Sequence, residues 1–212
     1  MVTESFGTGD AIIMSDVEAI FNLREEDFSG KESSWKISRI KNVISSRSNG
    51  VWGDDPTGED DTTCVRVADF DRVRMSVDLS NETKRHISKK ELLSKSLKPG
   101  DLLLEKSGGG DKQLVGQVVL FESNIQAVCS NFIEKLQVKS SNDSRFINYL
   151  FSVLYFKGIN FCHIKQTTGI QNLDSASFFN EKIAFPGFKL QTHIANFLVE
   201  KTQEINKSIS QI

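Results

Sequence analysis

The feature that most constrains this chain is its C-terminal periodicity. From Gln191 onward, Ile194, Phe197, Leu198, Ile205, Ile209 and Ile212 fall on one face of a helix, while Asn196, Glu200, Gln203, Lys207 and Gln211 fall opposite. The steps Ile194, Leu198, Lys201, Ile205, Ser208, Ile212 run 4-3-4-3-4, a heptad seam with two polar interruptions. At about 1.5 Å per residue such a helix reaches roughly 30 Å. Two outcomes follow: the stripe packs back on its own domain, or it meets a partner. The seam continues to Ile212, which favours the partner.

Upstream, the texture is that of a folded α/β domain. Hydrophobic residues make up 38% and charged residues 25% of the 212-residue chain, enough for a sizeable core. No apolar run is long enough to span a membrane. Met1 to Met14 contains Glu4 and Asp10 and no basic stretch, so it does not resemble a signal peptide. Cys64, Cys129 and Cys162 are widely spaced, with no Cys-x-x-Cys pair, which fits reduced thiols in the cytoplasm.

The net charge of −2 is unevenly spread. Residues 1–34 hold eight acids and two bases, leaving 24 bases and 20 acids beyond them. That balance permits nucleic-acid binding without requiring it. Within the acidic extension, Asp16 to Leu23 reads as a short helix.

From Trp35, short apolar runs alternate with turns. Asn49-Gly50 and Gly53-Asp54-Asp55-Pro56 mark a long loop, and Cys64 to Ala68 reads as a strand. Ser88-Lys89-Lys90-Glu91 fits a capping box opening a helix to about Leu97. Pro99-Gly100 suits a type II turn feeding the strand Leu102–Leu104. Leu114–Phe121 and Leu136–Lys139 are further strands. Asp143 or Ser144 opens a helix through Phe156, apolar around most of its circumference and so central to the core, and Gly158 ends it. Strands outnumber helices without strict alternation. The expected class is α+β with a mixed sheet, followed by a long C-terminal helix.

Signals of catalysis are weak. The run from Glu105 to Lys112 is glycine-rich, but Lys112 precedes Gln113, and a strand follows where a phosphate-binding loop needs a helix. Glu82-Thr83-Lys84 with Asp71 or Asp78 loosely fits a metal-dependent nuclease; a solvated loop is the plainer reading. Cys162 and His163, taken as strand neighbours, point to opposite faces, which predicts a buried thiol beside a surface imidazole. No metal or cofactor is expected.

Three stretches taken in order carry a family resemblance. The first is Asn49-Gly50-Val51-Trp52-Gly53 with Cys64 through Asp71. The second is Leu97-Lys98-Pro99-Gly100-Asp101 through Gly109, leading to Val115–Phe121. The third is Thr168-Gly169-Ile170-Gln171-Asn172-Leu173, then Ile183-Ala184-Phe185-Pro186 and Gln191. Together they resemble the specificity subunits of type I restriction-modification systems over residues 35–212. Phe188 and Leu190 stand where that family usually has a second proline and a glutamate.

The resemblance implies a non-catalytic DNA target-recognition domain (residues 35–186) and a spacer helix (residues 187–212), half of a full subunit. It implies double-stranded DNA, methyltransferase and restriction subunits as partners, with methyl transfer and cleavage performed by those other chains. A half-length form predicts a homodimer through Gln191, Ile194, Leu198, Ile205, Ile209 and Ile212. The loops expected to read DNA supply Lys106, Ser107, Lys112 and Gln113, then Lys165, Gln166, Thr168, Gln171 and Asn172, with Arg66 as a further contact. Gln171 and Asn172 serve equally well as turn residues. Arg72, Arg74, Lys84, Arg85, Lys89 and Lys90 are candidate phosphate contacts. The rival functions are an assembly protein without DNA readout and the nuclease.

Overall fold

The computed structural model describes residues 35–109, 113–167 and 169–209. The helix expected at Asp16–Leu23, the loop residues Lys112 and Thr168, and the side chains of Ile205, Ile209 and Ile212 lie outside the described residues.

The chain opens with strands β1 (Lys36–Arg39), β2 (Ile44–Asn49), β3 (Thr62–Val65), β4 (Phe70–Asp71), β5 (Ser76–Val77) and β6 (Lys84–Arg85), then helix α1 (Lys89–Lys95). Strands β7 (Leu102–Glu105), β8 (Ser107–Gly108), β9 (Val118–Leu120), β10 (Ala127–Cys129) and β11 (Ile133–Val138) precede helix α2 (Ser144–Phe156). The hairpin β12 (Ile164–Thr167) and β13 (Ile170–Leu173), a short helix α3 (Ser175–Phe178), β14 (Lys182–Phe185) and helix α4 (Phe188–Ile209) complete it.

The central sheet is mixed, in the order β2-β11-β7-β9-β5-β4. Its pairs are antiparallel except β5 with β9. Leu102 and Leu104 pair with Leu120 and Val118, while Leu103 pairs with Val119. The first four residues face the cluster built around α2, and the other two face a second cluster with Phe121 and Ile133. The uninterrupted apolar run in β7 follows from burial on both faces.

Local signals place the helices. Ser88 Oγ accepts from the Glu91 amide at 3.3 Å and donates to the Glu91 carboxylate at 2.7 Å, opening α1. In the Pro99-Gly100 turn, the Asp101 amide donates to Lys98 O at 3.0 Å, and Gly100 takes a φ of +93°. Asp143 caps α2, accepting from the Arg145 amide at 3.0 Å. Nine consecutive α2 residues, Phe146 to Leu154, are buried, as its apolar circumference predicts.

The strand expected at Cys64–Ala68 ends at Val65. Asp69 accepts from the Arg66 amide at 2.7 Å and turns Val67–Asp69 into a 3-10 segment. Phe161–His163 is likewise 3-10, not strand.

Strand β1 pairs antiparallel with β14, Lys36 opposite Phe185 and Arg39 opposite Lys182, so both ends of the mixed-sheet domain meet just before α4. The first half of α4 corrects the expectation of a partner seam. Ile194, Ala195 and Leu198 belong to the same core as α2, with Leu198 2% exposed. Gln191 is also buried: its Oε1 accepts from the Asp143 amide at 3.0 Å, and its Nε2 donates to Asn142 Oδ1 and Pro186 O. These three predicted partner residues therefore fasten the helix to its own domain. Packing there is intramolecular and removes apolar surface from water without the entropy cost of association. Phe188 and Phe197 are left exposed.

Candidate nucleic-acid interface

The two loops named from sequence are separated by more than fifty residues, yet they meet in one small sheet of order β12-β13-β8. Strand β7 leaves the core at Glu105, and β8 continues it outward. Asn172 then pairs with Ser107, and Lys165 pairs with Asn172 across the hairpin. Directly opposed residues share a face, so Lys165, Asn172 and Ser107 form a polar row across three strands. Ser107 Oγ donates to Asn172 Oδ1 at 2.7 Å, and the Leu173 amide donates to Lys106 O at 2.8 Å. Ile170, an exposed apolar residue, is next on that face of β13.

A third segment joins them. Lys106 Nζ donates to Asn49 Oδ1 at 2.7 Å, and Lys95 Nζ donates to Asn49 O. Gly50 follows, where a Cβ would lie 2.1 Å from Ser130 O. The Asn49-Gly50 doublet thus marks a close backbone approach at the end of β2. Phe132 O accepts from both the Lys106 and Ser107 amides, which holds the exposed Phe132 beside the row. Neither Asn49 nor Phe132 stood out in sequence as part of a site, because only the folded strand pairing brings them there.

Gln171 is corrected. It is 2% exposed, and its Oε1 accepts from the Val115 amide at 3.1 Å, so it supports the loop from beneath. Gly109 adopts a φ of +63°, and a Cβ there would meet Gln113 O at 2.7 Å and Gln171 Oε1 at 3.0 Å. Gln113, Lys165, Gln166 and Asn172 are exposed. Lys165 is tied to Asp174 at 2.8 Å, and hydrogen bonding from Lys165 is the largest cause holding the Asp174 carboxyl below its ordinary range.

Arg72 faces inward. Its Nη2 lies 3.0 Å from Glu105 Oε2, its Nη1 donates to Gln117 Oε1, and Gln117 Nε2 donates back to Arg72 O at 3.2 Å. Glu105 is 1% exposed; burial pushes its carboxyl up, opposed by the Arg72 charge. The Gln113 side-chain amide lies against the same guanidinium.

The other candidate cations are largely engaged. Arg66 pairs with Asp69 at 2.6 Å, Arg74 with Asp71 at 2.7 Å, and Arg85 with Asp55 at 2.7 Å while stacking over Trp52. Lys89 and Lys90 are exposed on α1.

Lys84 bonds Glu82 and Thr63, and hydrogen bonding from Lys84 is the main cause lowering the Glu82 carboxyl. Asp78 accepts from the Ser80 amide. Among the described residues, no three His, Cys, Asp or Glu side chains converge as a metal site.

The Cys162-His163 expectation is reversed. Cys162 is exposed, while the His163 imidazole is 11% exposed and bonded at 3.0 Å to both Ser177 Oγ and Glu181 Oε1. In a 3-10 turn, the strand rule that assigns opposite faces does not hold. His163 O accepts from the Asp174 amide, closing the base of the hairpin.

A mixed-sheet domain that carries a polar three-stranded outgrowth and ends in a long helix has a counterpart among known proteins. The family model described as "Type I restriction modification DNA specificity domain" matches residues 32–212, and the chain belongs to that family. No curated protein matches it in sequence.

Three solved structures share its fold. A chain from work on complex assembly and conformational transition of the type I R-M system is 15% identical with a TM-score of 0.58, the match covering 93% of this chain and 47% of that one. The HsdS subunit of Thermoanaerobacter tengcongensis is 16% identical with a TM-score of 0.51, covering 93% and 46%. The type I S subunit of M. genitalium is 15% identical with a TM-score of 0.57, covering 86% and 43%. This chain therefore spans about half the length of the structures it matches. Among the described residues, no helix is long and apolar enough to cross a membrane.

Proposed function

We propose that this chain reads double-stranded DNA sequence as one recognition module of a type I specificity subunit, directing methyltransferase and restriction subunits in the cytoplasm to a bipartite site and catalysing no step itself. One observation carries the reading: two polar loops distant in sequence form one β-sheet row of the half-buried Ser107 with the exposed Asn172 and Lys165.

A β-ribbon fits the major groove, which is about 12 Å wide. Amide and hydroxyl groups on such a ribbon discriminate base edges, while Lys106 and Lys165 neutralise phosphates. The outer face of α4, with Phe188 and Phe197, and the helix beyond Leu198 are the surfaces offered to partner subunits or a second copy.

Selection of the purified chain against random duplexes tests this. One enriched site is expected, with Asn172→Ala relaxing preference at one base pair by about 1–3 kcal/mol. Lys165→Ala should weaken all duplexes alike and reduce the salt slope by about 1. Enrichment of no sequence would overturn the assignment.

A further inference from the structure

Ile170 is an apolar residue whose side chain folding does not use. It is 51% exposed, and among the described residues it joins none of the hydrophobic clusters. Ile164, at the other end of the same hairpin, packs against the α2 core opposite the buried Leu173. Strand alternation explains the difference. Gln171 and Leu173 are buried while Ile170 and Asn172 are exposed, which sets Ile170 on the face of the Ser107, Asn172 and Lys165 row. The pairing of β13 with β8 stops at Gln171, one residue short of Ile170, and the preceding Gly169 has no side chain to cover it.

An isoleucine side chain has no donor and no acceptor. Pressed against the edge of adenine, guanine or cytosine, it would take water from a polar group of the base and return no hydrogen bond, an unfavourable exchange. The one apolar group displayed in the major groove is the C5-methyl of thymine. Ile170 lies two residues from Asn172 on the same face, about 7 Å along an antiparallel strand, which spans about two base-pair steps. The row that offers hydrogen bonds to one base thus carries an apolar contact for a second.

From this placement we infer that Ile170 selects thymine in the recognised sequence through contact with its C5-methyl group. The inference rests on the DNA-reading function proposed above and names the chemical group that one further residue selects.

The test uses the full chain and the duplex it selects. Ile170→Ala first identifies the base pair at which preference relaxes, which should be A·T. Thymine there is then replaced by uracil, which keeps the pairing and every hydrogen-bonding group and removes only the methyl. Uracil should weaken wild-type binding about fourfold, as expected for one buried methyl group, and leave Ile170→Ala binding unchanged. The salt slope should not move, because no phosphate contact is lost. Ile170→Val, which keeps a branched apolar end, should retain the preference for thymine over uracil.

No relaxed position, a relaxed G·C pair, or equal wild-type affinity for thymine and uracil would overturn the inference while leaving DNA recognition intact. Failure to select any duplex would sink both. Because Ile170 lies outside the core, the Tm of Ile170→Ala should stay within about 2 °C of wild type. A larger fall, with binding weakened alike at every position, would make Ile170 a structural residue and refute the assignment.

Discussion

Asn172 and Gln171 are sequence neighbours of the same polar type, separated in role by the alternation of a strand. Asn172 projects to the exposed face and meets Ser107, while Gln171 projects inward to the Val115 amide. Gln171→Ala strands a buried N–H, so urea unfolding should show a loss of about 1–3 kcal/mol. Asn172→Ala, at an exposed position, should stay within about 0.5 kcal/mol of wild type. Equal losses would contradict the assigned faces.

The cysteines divide in the same way. Burial pushes the Cys64 thiol up to about 11 and the Cys129 thiol up to about 12, whereas Cys162 is exposed. Thiolate is the reactive form. Iodoacetamide applied to the folded chain near pH 8 should add one label, at Cys162, in intact-protein and peptide mass spectra. Labelling of Cys64 under native conditions would contradict the packing of β3 against β10.

Helix α4 shows how burial divides one element lengthwise and around its axis. Leu198 sits in the α2 core and Phe197, 44% exposed, points away. Leu198→Ala should destabilise by about 2–5 kcal/mol, and Phe197→Ala by little more than about 0.5 kcal/mol, as read by thermal or urea unfolding.

At the other helix of this contact, Asp143 caps α2. Although burial alone would raise its carboxyl, the hydrogen bond and charge of Arg145 hold it below its ordinary 3.8. A carboxyl depressed on folding contributes stability that is present above its unfolded value and disappears as pH falls through its folded value. Asp143→Asn should therefore cost stability at pH 7, with the difference in Tm narrowing below about pH 4.

The capping signals at Ser88 and Asp143, the Pro99-Gly100 turn and the apolar α2 were legible because each depends on residues a few positions apart. The fate of α4 was not. A one-sided stripe gives the same 4-3 spacing whether it meets its own domain or another chain, and only the burial of Ile194, Ala195 and Leu198 in the core shared with α2 decides between them. The site was legible by loop but not by side chain. Lys106, Ser107, Gln113, Lys165 and Asn172 sit on or beside the outgrowth, while Gln171 was lost to the phase of a strand whose register is set by β8, sixty residues away.

For the whole molecule, the ends of the mixed-sheet domain are joined by β1 and β14, and α4 departs from that junction. Among the described residues of α4, Leu198 is the last buried one, with Val199 partly buried against the same core, and the helix continues to Ile209. In the sequence, Ile205, Ile209 and Ile212 continue the apolar spacing beyond that stretch. A one-sided apolar spacing of that kind favours association, and under the proposed function a module that reads half a bipartite site is completed by a second reader.

Both requirements are met if two copies pair through the distal part of α4, which makes the assembly two-fold and its DNA site an inverted repeat. Sedimentation of the full chain should therefore give a dimer at micromolar concentration, and the selected duplex should carry two symmetric half-sites at fixed spacing. Ile205→Lys with Ile209→Lys should yield a monomer with a Tm close to wild type, because the buried residues that fasten the helix, Gln191, Ile194, Ala195 and Leu198, are untouched. That monomer should still bind one half-site, more weakly, with its base preferences unchanged. A monomeric wild-type chain, or an asymmetric selected site, would instead assign the distal helix to a subunit of a different kind.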